Sequence, residues 1–140
     1  MYMIEYKKLN QAQNETHLIA LLSEKQEEEK NIPAEENTPF SLALYDNDFY
    51  IGGITANKWM NETHISLLAI NKEYRGKGYG TELLKKAEDF ASASGTKLIT
   101  INTQDYQAKT FYEQYGYQVF GQLKDTPFIG TTKYFLVKRI

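Results

Sequence analysis

At 140 residues, 41% hydrophobic and 24% charged, the chain has the size and make-up of one globular domain with a proper core. A formal net charge of −2 supplies no basic field for nucleic acid, and no apolar run reaches the length of a membrane span. The absence of cysteine excludes disulfides, thiolate metal sites and a cysteine acyl carrier, and two histidines, His17 and His64, leave no histidine-rich metal site.

Met1 to Leu9 reads as a first strand, and it lacks the apolar stretch of a signal peptide. With no cysteine, that fits a cytoplasmic protein. Asn10 to Lys30 reads as a helix with an apolar stripe of Leu18, Ile19, Leu21 and Leu22. Glu24 to Glu36 is acidic and broken by Pro33. It reads as a solvated helix end and loop, and alternatively as an acidic rim that draws in cationic amines. Phe40 to Tyr45 and Phe49 to Trp59 are strands joined by the turn Asp46-Asn47-Asp48. Gly52-Gly53 predicts a bulge or a close backbone approach. A turn at Met60–Thr63 precedes a central apolar strand, His64 to Ile70.

The helix from Tyr79 carries Leu83, Leu84, Ala87, Phe90 and Ala91 on one stripe and stops at Gly95. A strand at 97–103, a helix from Asp105 to Tyr115 ended by Gly116, a strand at 117–123, a loop at 124–131 and a last strand at 132–139 follow. The helix between strands 64–70 and 97–103 implies that these two run parallel. The fold class is α+β, a mixed, mostly antiparallel sheet of about seven strands with helices on both faces. Residues 1–140 form a single domain without repeats or linkers.

The most informative six residues are Arg75-Gly76-Lys77-Gly78-Tyr79-Gly80. An apolar strand feeds a glycine-rich turn that opens a helix, so free N–H groups gather at the positive end of a helix dipole. Such a place holds phosphate. Arg75 and Lys77 add fixed charge. The spacing is neither G-x-G-x-x-G nor G-x-x-x-x-G-K-[ST], because Gly78 follows Lys77 where a magnesium-binding Ser or Thr belongs. A second pattern, A-x-x-F-Y-x-x-x-G-[FY], is met by Ala108, Phe111, Tyr112, Gly116 and Tyr117.

On R-G-x-G-x-G after a strand and on this second motif, the chain resembles the GNAT superfamily of acyl-CoA-dependent N-acetyltransferases. The resemblance runs from about Ile51 to the C-terminus and points to small, single-domain bacterial-type members. It implies acetyl-CoA as co-substrate, no metal, and a primary amine of a small molecule or peptide as acceptor, attacked directly in a ternary complex. It further implies that Arg75, Gly76, Lys77, Gly78, Tyr79, Gly80 and Thr81 bind the pyrophosphate. The strand edge Leu68, Ala69 and Ile70 would pair with the pantetheine arm and polarise the thioester carbonyl through a backbone N–H. Tyr112 stands where many members carry a general-acid tyrosine, and its packing role in a helix is the alternative.

The base is open. Ser66 sits where relatives often carry an acid, which leaves Glu62, His64 or a water chain ending on one of them. Asp105 replaces a common Asn and cannot donate the same bond while ionised, so Gln107, Thr103 or backbone would serve. Tyr45, Phe49, Tyr50, Trp59 and Phe128 are candidate acceptor-pocket aromatics. Small members of the family often pair, so a homodimer is open, while nucleic acid and membrane are not expected partners. The competing functions are a catalytically silent acyl-CoA-binding module and a nucleotide-binding protein.

Overall fold

Residues 3–140 are described by the computed structural model. Residues up to Glu36 form one unit and Asn37–Ile140 a second. In the first, the expected strand over Met1–Leu9 is not formed: Met1 and Tyr2 lie outside the described residues, and residues 3–9 carry no regular structure. Helix α1 (Gln11–Lys30) follows. Asn10 caps it by accepting from the Gln13 N–H at 3.3 Å, satisfying one of the orphan donors of the first turn. Asn31, in the left-handed region at φ 55°, ends it by donating to the Glu27 carbonyl. The helix therefore runs through the first half of the acidic stretch and stops at Lys30, three residues before Pro33. Leu18, Ile19, Leu21 and Leu22 are all exposed.

The second unit is a six-stranded sheet in the order β1-β2-β3-β4-β6-β5. Its strands are β1 (Thr38–Asp46), β2 (Phe49–Trp59), β3 (Glu62–Ile70), β4 (Leu98–Gln104), β5 (Gln118–Lys124) and β6 (Thr132–Arg139). The seventh strand of the sequence reading is the one that residues 3–9 do not form. Tight turns with Asn47 and Met60 at positive φ join β1 to β2 and β2 to β3. Glu62 and Thr63, read as turn residues, already belong to β3, because both pair with β2 and β4. Every pairing is antiparallel except β3 with β4, which the crossover helix α2 (Tyr79–Ala93) joins in parallel. Helix α3 (Lys109–Gln114) is shorter than expected. Residues 105–108 are turns rather than its first turn.

Apolar periodicity explains the packing. Leu83, Leu84, Ala87 and Ala91 are the buried face of α2. They meet Ile54, Ala56, Ile65, Ile99, Ile101 and Leu136 from the sheet, with Tyr112 and Tyr117, in one cluster. Buried threonine hydroxyls are matched, as burial of polar groups demands: Thr63 and Thr96 bond each other at 2.7 Å. Gly52 is where close approach is needed, since a Cβ there would lie 2.6 Å from the Ala69 carbonyl oxygen.

Candidate active site

Two features of β3 open a cavity beside it. The first is a bulge: Ile65 pairs with Ala56 and Leu67 with Thr55, so Ser66 is an extra residue. Such an insertion bends a strand and increases its twist. The second is that the parallel pairing with β4 stops at Ile65–Ile101. Beyond it, Leu67 to Ile70 have no strand on that side. Asn71 donates to the Ile51 carbonyl across β2 at 2.7 Å, so by the two-residue alternation of a strand the backbone groups of Ile70 and Leu68 face the gap. Arg75 Nε donates to the Ile70 carbonyl at 3.0 Å, which ties the following loop to the strand end. The Leu68 N–H and C=O and the Ile70 N–H are what remains on that edge.

The gap widens into a cavity of about 800 Å³. One wall is β3 from Ser66 to Ile70. A second is the glycine loop and first turn of α2, through Arg75, Gly76, Gly78, Tyr79, Gly80 and Thr81. The third is the end of β4 and α3, with Ile101, Asn102, Thr103, Tyr106, Gln107, Phe111, Tyr112 and Tyr115. Gly76 and Gly78 have φ of 76° and 86°, a region that costs any residue with a Cβ. Gly78 is the N-cap of α2 and no side chain caps that end, which leaves its first N–H groups for an anion. Gly80 has no such φ and sits under the Phe111 ring, 3.7 Å from where a Cβ would stand. Lys77 is the one loop residue that does not line the cavity; its Nζ lies 5.4 Å above the Tyr74 ring.

Tyr112 is 3% exposed and lines the cavity. Burial pushes its phenol up to about 12, so it stays protonated at any ordinary pH. Against a thiol near 8.5 the gap is about 3.5 units, wider than for a free phenol. The group is therefore a hydrogen-bond donor rather than a readily emptied proton store. Gln107 lines the cavity too, but its Oε1 accepts from the Gln104 N–H at 2.8 Å and from Thr103 Oγ1 at 3.4 Å, which leaves its NH₂ as the free donor. Thr103 is buried and its hydroxyl also accepts from the Ala108 N–H.

Glu62 and His64 lie on β3 outside the cavity lining. His64 Nδ1 and Thr100 Oγ1 are 2.7 Å apart. Half-buried, His64 has its pKa lowered by desolvation; Glu62 opposes that and Lys133 assists it. The imidazole is neutral at pH 7. Asp105 is spent elsewhere: its carboxylate accepts from Thr131 Oγ1 at 2.8 Å and the Thr132 N–H at 3.0 Å, clipping the segment after β4 to the start of β6. Among the expected pocket aromatics none lines the cavity, although Phe128 stacks on Tyr106, which does. The sequence reading passed over Tyr74, Asn102, Tyr106, Phe111 and Tyr115 as lining residues. The motif that contains Phe111 and Tyr115 was the available signal, since residues at spacings of three and four share the face of Tyr112 and Ala108. Among the described residues no group of three His, Asp or Glu side chains is placed to hold a metal, and no helix is long and apolar enough to cross a membrane.

Comparison with known proteins gives the family. The sequence profile described as "Acetyltransferase (GNAT) domain" matches residues 5–134. N-alpha-acetyltransferase 30 of Schizosaccharomyces pombe is 33% identical over 85 residues, 56% of this chain and 57% of that protein. Blasticidin-S acetyltransferase of Streptomyces morookaense is 32% identical over 90 residues, 64% of this chain and 65% of that protein. The match thus takes in less than two thirds of either relative. A crystal structure of an acetyltransferase from Bacillus cereus superimposes with a TM-score of 0.84 at 26% identity, with both chains fully covered.

Proposed function

Because the chain belongs to the GNAT family of acetyltransferases, we propose that it uses acetyl-CoA to acetylate a primary amine of a small molecule or peptide by direct attack in a ternary complex. Residues 1–140 act as one N-acetyltransferase domain in the cytoplasm. The observation that carries the reading is the gap between β3 and β4. It runs from a strand edge with free backbone groups to a glycine loop at a helix N-terminus, past a buried protonated tyrosine. The fit to coenzyme A rests on those same groups: an anion site at one end, an extended polar edge in the middle and an apolar, aromatic wall.

When bound, acetyl-CoA supplies an acyl group already activated as a thioester. The chain's own residues do the rest. The N–H groups of residues 78–81, with Arg75, hold the pyrophosphate, and Lys77 adds positive charge from outside the cavity lining. The Leu68 and Ile70 backbone orients the pantetheine arm, and the Ile70 or Leu68 N–H faces the thioester carbonyl. The Gln107 NH₂ replaces the donor that Asp105 does not supply. Tyr112 donates a hydrogen bond to the departing sulfur. The base is His64, acting through an intervening water: it is neutral, held by Thr100, and two residues along β3 from Ser66, which lines the cavity. Glu62 serves it as a nearby negative charge. Calorimetric titration with acetyl-CoA, with ATP as control, tests the site, and release of free CoA thiol across a panel of primary amines tests the chemistry. No acetyl-CoA binding refutes the proposal.

One observation favours a second reading. No Asp, Glu or His lines the cavity, as expected of a silent acyl-CoA-binding module. Binding without thiol release for any amine would select it.

A further inference from the structure

Helix α3 ends in a way that fixes Tyr112. Gly116, at φ 93°, takes the left-handed position. Its N–H donates to the Glu113 carbonyl, and the Tyr117 N–H reaches back to the Tyr112 carbonyl at 3.2 Å. These are the two bonds of a Schellman stop, a motif that usually brings the side chains of its first and last residues together. Here those side chains are Tyr112 and Tyr117, with ring centroids 5.7 Å apart in an edge-on arrangement. Phe111 meets the Tyr112 ring on another side, at 5.2 Å.

Tyr117 is itself tied down, and from a different element. Its hydroxyl donates to Glu88 Oε2 at 2.9 Å. Glu88 belongs to α2, the helix whose first turn carries the glycine loop. The same oxygen accepts from Lys138 Nζ of β6 at 2.9 Å, and that ammonium lies 5.6 Å from the Tyr117 ring centroid. Tyr117 is 2% exposed, and Glu88 and Lys138 side chains are 18% and 27% exposed. In a medium of that kind a doubly bonded carboxylate is held firmly. Burial and the Glu88 charge both push the Tyr117 phenol up, so its proton remains in the bond.

We propose that Tyr117, anchored by Glu88 and Lys138, is a positioning residue that sets the ring of Tyr112 and so couples the phosphate-binding helix to the hydrogen-bond donor that meets the departing sulfur. This rests on the role given to Tyr112 above. Tyr117 does not line the cavity, and the lining side chain that its ring meets is Tyr112.

The test uses Glu88→Ala, Glu88→Gln and Tyr117→Phe in the parent and in Tyr112→Phe. Ring flipping of Tyr112, read by NMR on ring-labelled protein saturated with acetyl-CoA, needs no acceptor. Glu88→Ala and Tyr117→Phe are expected to speed it about tenfold, the scale of a coupled contact. Glu88→Gln, which keeps an acceptor for the Tyr117 hydroxyl, restores it to within about threefold. In thiol release with any turned-over amine, Glu88→Ala lowers kcat about tenfold with KM for acetyl-CoA within about twofold. In the Tyr112→Phe background it lowers kcat by less than about twofold.

Unchanged flipping, or an equal loss of kcat in both backgrounds, overturns the proposal while leaving Tyr112 as the donor to the departing sulfur. A Tyr112→Phe variant that turns over like the parent overturns both. Melting temperature monitors folding, and Tyr117→Phe, which keeps the ring, decides the matter where Glu88→Ala does not fold.

Discussion

Replacing Gly78 by alanine separates the cost of a left-handed backbone from the cost of bulk. Gly78 sits at φ 86°, and a Cβ there meets nothing within 4 Å. Sterics with neighbours therefore contribute nothing, and the penalty is the intrinsic one, about 1–2 kcal/mol. Gly95 supplies a matched control at φ 82° with equally open surroundings. The two differ in what holds them. Gly95 is locked in the stop of α2, its N–H bonded to the Ser92 carbonyl and the Thr96 N–H to that of Ala91. In contrast, residues 76–78 are a loop whose bond to the rest is the Gly78 carbonyl accepting from Glu82 at 3.1 Å.

Alanine at 78 relaxes the loop away from the anion-binding shape, so the strain reappears on binding: acetyl-CoA affinity falls about 5–30-fold. Alanine at 95 cannot relax, so affinity stays within twofold while the melting temperature drops by about 4–8 °C. Calorimetry and thermal unfolding of both variants read the two effects. Parent-like affinity in Gly78→Ala, or an equal loss in Gly95→Ala, refutes the assignment of the loop.

Tyr112→Phe should lower kcat by about 10²-fold or more with little change in acetyl-CoA affinity. With the phenol at about 12, the parent's pH–rate profile should show no falling limb from Tyr112 in the neutral to mildly alkaline range. His64 binds a proton less readily in the folded chain than in the unfolded one, because its pKa is lowered from 6.5. Its neutral form therefore contributes stability above pH 6.5 that is lost as the pH falls below that value. His64→Gln should flatten that part of a stability-versus-pH curve, and in turnover should remove a rising limb below pH 6.5. Asp105→Ala removes two bonds to a carboxylate. It should speed proteolysis within residues 125–131 while leaving acetyl-CoA affinity within about twofold, measured by limited digestion and calorimetry. Ile99→Ala, at a position with no exposure, should destabilise by about 2–5 kcal/mol in denaturant titration.

The sequence showed most where local chemistry is decisive. Gly78 to Ala93 read as a turn opening a helix because the apolar stripe, the glycines and the following Gly95 all agree. Gly116 read as a stop for the same reason. Residues 3–9 failed because Ile4 and Tyr6 look like strand on propensity alone, and a strand forms only where a neighbour pairs with it. Leu18, Ile19, Leu21 and Leu22 read as an apolar stripe and are exposed, since a stripe by itself does not fix burial. Asp105 was visible as a departure, but its partners are Thr131 and Thr132, 26 and 27 residues away, beyond any local pattern. The bulge at Ser66 and the end of pairing after Ile65 are likewise properties of strand register. That is why the strand edge was predicted from resemblance and its geometry came only from the fold.

The interrupted pairing of β3 and β4 has a mechanical side. Four residue pairs, Glu62–Ile65 with Leu98–Ile101, are the hydrogen-bonded seam between a three-stranded half, β1-β2-β3, and another, β4-β6-β5. A molecule lying along Leu68–Ile70 and touching Asn102–Gln107 extends that seam and braces the two halves against each other. The protein should thus stiffen as it loads, with amide exchange slowing at Leu68 and Ile70 and across the far ends of both halves. The melting temperature should then climb with ligand concentration by mass action.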